Sequence, residues 1–154
     1  IGISIDLKFA IIDVPNRDVI MNFPQQELII QDKIEDVYDV ILIAGDESYV
    51  LHMIDDILAD IPQEYSLGQN YPNPFNPVTK IDFALPRTGD VSLVIYNLMG
   101  QQVRTLLAKN MDYGFHTITW NGLDQFGRPV SSGVYFSELS ARGFRQTKKM
   151  LMLK

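Results

Sequence analysis

The chain has 154 residues, 46% of them hydrophobic, with 13 Lys/Arg against 19 Asp/Glu for a formal net charge of -6. The absence of cysteine excludes disulfides, thiolate metal sites and cysteine nucleophiles. No apolar run approaches the ~20 residues that a membrane-spanning helix needs.

The charge is unevenly placed. Residues 1–64 carry 3 Lys/Arg against 14 Asp/Glu, and residues 65–154 carry 10 against 5. A change of sign of this kind predicts two modules with different surfaces. The cations of the second half are scattered through predicted strands and turns, with neither a basic helix nor a stacking-aromatic motif, which argues against nucleic acid as a partner. The chain starts at Ile1 rather than Met, so it is expected to be a piece of a longer polypeptide.

From Ile1 the apolar residues are β-branched and broken by single polar ones, as in Ile3-Ser4-Ile5-Asp6-Leu7-Lys8-Phe9 and, further on, Leu28-Ile29-Ile30. Period-two alternation predicts strands, with turns at Pro15-Asn16-Arg17-Asp18 and Pro24. Val37–Ile43 and Tyr49–Ile54 flank Gly45-Asp46-Glu47-Ser48, which reads as a hairpin with Gly45 supplying a left-handed turn residue. The alternative over Glu47 to Ala59 is an amphipathic helix with Val50, Met53, Ile54, Ile57 and Leu58 on one stripe. Residues 1–54 are thus expected to be the C-terminal part of an acidic β-domain, followed by a linker over 55–70.

Tyr71-Pro72-Asn73-Pro74-Phe75-Asn76-Pro77 comes next. Three prolines in seven residues fix φ and remove donors, so no helix or central strand can run through. Beyond it, alternation predicts strands over Ile81–Leu85, Val91–Tyr96, Val103–Leu107, Phe115–Trp120, Val134–Ala141 and Arg145–Leu153. Arg87-Thr88-Gly89-Asp90, Asp112-Tyr113-Gly114, Asn121-Gly122 and Asp124-Gln125-Phe126-Gly127 supply turn chemistry between them. Short strands at this spacing fit an antiparallel β-sandwich over 71–154, with Trp120 as its core anchor.

Catalytic parts are missing from this reading. His52 and His116 fall in predicted strands, Ser131-Ser132-Gly133 lacks a nucleophile elbow, and Asp55, Asp56 and Asp60 lack the spacing of a calcium loop. The expectation is a protein without catalytic residues, metal or cofactor. Lys148, Lys149 and Lys154 bracket a terminal strand. They serve either as cationic protection of an edge or as a grip for a partner, by strand addition or an acidic surface.

From Tyr65 to Lys154 the sequence resembles the C-terminal sorting domain of type IX secretion substrates, Ig-like modules at the ends of exported proteins of Bacteroidota and their relatives. The resemblance rests on Leu67-Gly68-Gln69-Asn70 running into Tyr71, Pro72, Asn73, Pro74, Phe75, Asn76 and Pro77, and on Val94-Ile95-Tyr96-Asn97 leading to Gly100. It continues through His116-Thr117-Ile118-Thr119-Trp120-Asn121-Gly122, Gly127, and Val130-Ser131-Ser132-Gly133-Val134-Tyr135, and ends on Lys148-Lys149-Met150-Leu151-Met152-Leu153-Lys154. Similar strand and turn patterns occur in the Ig-like domain of flagellar hook-capping proteins. The proline-rich opening and the Lys-Met ending point to the sorting family, and residues 1–64 match no motif.

The resemblance implies a non-enzymatic all-β module that folds in the periplasm and is recognised by the type IX outer-membrane translocon and its processing machinery. It would carry an upstream cargo in cis to the cell surface or medium. Lys148, Lys149, Met150, Leu151, Leu153 and Lys154 are then the expected recognition residues. The alternative is an adhesive Ig-like module that binds carbohydrate or protein.

Overall fold

The computed structural model describes residues 8–14, 18–21 and 40–153. The chain divides into two compact units, one ending at Ile61 and the other starting at Pro62. The predicted segments around Ile3–Leu7, Leu28–Ile30 and Val37–Asp39, and the turns at Pro15 and Pro24, lie outside the described residues.

In the first unit β1 (Lys8–Asp13) pairs antiparallel with β2 (Asp18–Met21) and β3 (Val40–Gly45), giving the order β2-β1-β3. The hairpin expected around Gly45 is corrected: Glu47–Asp60 is a helix, α1. Asp46 caps it, its carboxylate accepting the Tyr49 amide at 2.9 Å, which satisfies one of the donors that a helix start leaves unpaired. Val50 and Ile54, one turn apart, are buried with Ala10, Ile12 and Ile43, and Met53, Ile57 and Leu58 pack against the same cluster. The apolar stripe outweighs the strand preference of Tyr49 and Val50, because propensity is the weaker prior once a sheet offers a face to bury against.

Gly45 is small for space rather than for a left-handed turn: a Cβ there would run into the Tyr49 ring. The linker expected over 55–70 is also shorter than supposed. Asp55, Asp56 and Asp60 belong to α1, and Ser66–Leu67 already pairs as a strand.

The second unit holds two antiparallel sheets. One runs β10-β9-β6-β7 and the other β4-β5-β8, from β4 (Ser66–Leu67), β5 (Thr79–Leu85), β6 (Gly89–Asn97), β7 (Gln102–Met111), β8 (Gly114–Trp120), β9 (Gly133–Ala141) and β10 (Phe144–Met152). Their inward residues, among them Ile81, Phe83, Leu93, Ile95, Trp120, Leu139 and Met150, form one buried cluster. Alternation places these residues on one face of each strand, and burying that face drives the two sheets together. The fold is all-β, with an Ig-like sandwich in its second unit.

Candidate functional site

The proline segment and the last strand, which lie at opposite ends of the second unit in sequence, are bonded to each other. Phe75 donates its amide to the Leu151 carbonyl at 3.0 Å and accepts the Leu153 amide at 2.9 Å, a parallel bridge on the outer edge of β10. Asn73 Oδ1 accepts the Leu151 amide at 2.9 Å, and Gln69 Nε2 donates to the Lys149 carbonyl at 2.8 Å. Two residues before Gln69, the Leu67 amide donates to Gln146 Oε1 at 2.8 Å. The edge that an antiparallel sheet leaves unpaired is therefore occupied from within.

A buried polar network holds the clasp in place. Asn70 is buried and donates through Nδ2 to the Pro72 carbonyl and to Thr79 Oγ1, while Thr79 donates to the same carbonyl. Gln69 Nε2 also donates to Asn70 Oδ1, and Tyr71 exchanges backbone bonds with Lys80. With its amide and carbonyl oxygen both paired, Asn70 can be buried at little cost. Tyr71, Pro72, Asn73, Pro74, Asn76 and Pro77 are exposed, and the Tyr71–Pro72 and Asn73–Pro74 peptide bonds are cis.

Phe75 turns the other way. Its ring is buried 5.5 Å from Trp120, and Trp120 meets Tyr135 edge-on at 5.3 Å. Trp120 Nε1 donates to the Leu123 carbonyl, and the Tyr135 hydroxyl donates to the Ser131 carbonyl at 2.7 Å. Burial pushes the Tyr135 phenol above its ordinary pKa. At Gly122 (φ 69°) a Cβ would lie 2.9 Å from Met152 Cε and 3.0 Å from the Pro77 carbonyl oxygen, so a glycine lets the loop, the proline segment and the last strand converge.

The expected recognition residues separate by face. Met150 is core and Lys148 is half-buried beside it, whereas Lys149, Leu151 and Leu153 are exposed; Lys154 lies outside the described residues. On the outer face of the sheet, register sets Lys149 against Phe136 and Leu151 against Val134, with Phe136 paired to Tyr96. Gly100 and Gly127 take left-handed φ (74° and 77°) in open turns, and Gly133 opens β9. Strand addition along Leu151–Leu153 would require the clasp to open, so what a partner meets in the closed domain is a surface of side chains.

Of the two histidines, His52 sits 3.5 Å from Asp56 on the exposed side of α1 and His116 bonds the Asp112 carbonyl. Among the described residues no group of three or more His, Asp or Glu is placed to hold a metal. No helix among them is long and apolar enough to cross a membrane. Sequence reading passed over Gln69 and Gln146 as fastenings and Leu98, Met99 and Phe126 as exposed apolar residues. For the last three a signal existed: apolar residues inside turns otherwise built of Asn, Asp and Gly.

The FlgD Ig-like domain family matches residues 74–143, a little under half of the chain. No curated protein matches. Among solved structures the chain is similar to dimeric latent PorU from Porphyromonas gingivalis (18% identity over 60% of this chain and 10% of that one, TM-score 0.49). It is also similar to PorZ of the same organism, described as an essential surface component of the type-IX secretion system (20% identity, 58% of this chain and 11% of that one, TM-score 0.39). A third is FlgD from P. aeruginosa (20% identity, 48% of this chain and 58% of that one, TM-score 0.37). The chain thus spans about a tenth of the two P. gingivalis proteins and 58% of FlgD.

Proposed function

We propose that the second unit is a non-catalytic sorting module, recognised by the type IX outer-membrane translocon, that carries an upstream cargo through the periplasm to the cell surface or medium. The observation that carries this reading is the clasp. The two motifs on which the family resemblance rests most, the proline-rich opening and the Lys-Met ending, meet through Asn73, Phe75, Leu151 and Leu153. A receptor that reads the end of the chain would then meet both motifs on one ordered surface, with Lys149, Leu151 and Leu153 exposed beside Tyr71 and Asn73. Pre-ordering the recognised segment reduces the entropy lost on docking.

The test is a fusion of residues 62–154 to an unrelated folded reporter in a type IX-competent host. Export of the fusion, and periplasmic retention once Lys148–Lys154 is deleted, are the expected results. A stable, folded fusion that stays periplasmic while the host exports its own substrates would remove the sorting role and leave an adhesive module as the better account.

A further inference from the structure

Two turns lie at the end of the sandwich where β6 and β8 finish and β7 and β9 begin, and each is closed by one side chain. Asn97 Oδ1 accepts the amides of Met99 and Gln101, both at 3.0 Å. Asp124 Oδ1 accepts those of Phe126 at 2.9 Å and Arg128 at 2.8 Å. Both turns are anchored on the first residues of β7. The first runs directly into this strand, and the second is bonded to it: the Gln125 amide donates to the Val103 carbonyl, Gln125 Oε1 accepts the Thr105 amide, and Arg104 donates to the Asp124 carbonyl.

Leu98, Met99 and Phe126 stand on these turns, 73%, 77% and 80% exposed. Isolated exposed apolar residues need no explanation, but a cluster on a rigid support does. Tyr71, Val78, Leu151 and Leu153 are exposed at the same end, and among the described residues of the second unit Phe115 is the one large exposed hydrophobic at the other end. This end also carries an excess of positive charge. Lys80, Arg104, Arg128 and Lys149 are at this end with Asp124, which is paired to Arg128 at 2.9 Å. At the opposite end Asp90 and Asp112 are mixed with Arg87, Lys109 and Arg142, and of the mid-strand carboxylates Asp82 and Glu138 the latter lies 4.0 Å from Arg145, so what sets the first end apart is the exposed apolar residues beside its cations.

We propose that this end of the sandwich docks on an anionic lipid surface, with Leu98, Met99 and Phe126 entering the boundary between headgroups and acyl chains while Arg104, Arg128 and Lys149 face the phosphates. The apolar side chains project from turn apices, which suits a fluid interface that needs no complementary pocket. The Arg128 guanidinium lies 4.9 Å from the centre of the Phe126 ring. A ring and a cation at one depth match the step from acyl chain to phosphate, whereas a protein pocket deep enough for the ring would have to desolvate the guanidinium. Peripheral attachment of this kind draws on both buried apolar area and attraction to anionic headgroups. The attachment is reversible, and it does not depend on the sorting role.

The experiment is co-flotation of the whole 154-residue chain with vesicles of phosphatidylcholine alone, or mixed with phosphatidylglycerol. The chain is expected to float with the mixed vesicles only, and less so as salt rises. The combined variant Leu98→Ser, Met99→Ser, Phe126→Ser should lower the vesicle-bound fraction roughly tenfold with its melting temperature unchanged. Phe115→Ser, at the far end, should float like the parent. Absence of flotation with the mixed vesicles overturns the proposal, as does a triple variant that binds like the parent or a loss that Phe115→Ser reproduces. If the triple variant binds vesicles normally yet is no longer exported, the tip belongs to a protein receptor and the lipid assignment falls.

Discussion

Trp120 shows how far a single residue can be read before any fold is known. It is the only tryptophan, it ends an alternating strand, and it precedes an Asn-Gly turn. It is fully buried between Phe75 and Tyr135, with its indole N–H satisfied by Leu123. Trp120→Ala should therefore cost about 3–5 kcal/mol, a large part of a small domain's stability. A melting temperature within a couple of degrees of the parent would contradict that placement. Phe75 was not legible in the same way, because nothing within a proline cluster distinguishes an inward ring from the outward one of Tyr71. Asp124 carries a prediction in pH. The Arg128 amide, followed by the Arg128 guanidinium and the Phe126 amide, holds its carboxyl below the ordinary 3.8 against a smaller opposing effect of burial. A depressed folded-state pKa contributes stability that is fully present above the unfolded value and is lost as pH falls through the folded one. The amides of Phe126 and Arg128 should accordingly stay protected from exchange at pH 3.8 and lose protection only below it. Loss at higher pH would mean that the carboxylate does not close this turn.

At the scale of elements, the six strands expected after the proline segment are β5 to β10, because each alternates and each is bounded by turn residues whose chemistry is local. Helix α1 was open to both readings: Tyr49 and Val50 favour a strand, and the stripe that decides the matter needs the β2-β1-β3 sheet to bury against. Its cap gives the test. Asp46→Ala should destabilise the helix by about 1 kcal/mol and speed amide exchange at Tyr49, and an unchanged Tyr49 amide would argue against the cap. The clasp on β10 was not legible at all, since it joins residues 78 positions apart through side-chain acceptors that no local period encodes. Asn73→Ala removes the acceptor of the Leu151 amide, and exchange at Leu151 should accelerate while Met150, in the core and paired to β9, keeps its protection. Equal acceleration at both would show that the whole strand depends on this one bond.

For the whole molecule, the change in charge sign places the division between modules near residue 64, and the compact units divide at Ile61 and Pro62. Within the window of about 55–70 where alternation stops, most of the chain is already committed. Residues 55–60 are helical, Leu67 and Asn70 are buried, and Tyr65 is stacked on Phe144 at 5.5 Å. Gln63 and Glu64 are adjacent, exposed and outside strand and helix, whereas Gln69, also exposed, is held by its bonds to Asn70 and Lys149. A protease needs several residues of backbone free of such pairing, so cleavage should begin there rather than across the wider window. Among the glutamates of the described residues, we expect a Glu-specific protease to cut Glu64 ahead of Glu47 and Glu138 and to release a fragment starting at Tyr65 that still melts cooperatively, since the core of the second unit draws on no residue before it. Fragment masses from a brief digest, followed by a thermal melt of the purified piece, test both parts. A cut after Glu138 ahead of Glu64 would place the accessible stretch inside the sandwich, and a released fragment with no transition would show that the sandwich depends on the residues before it for its stability.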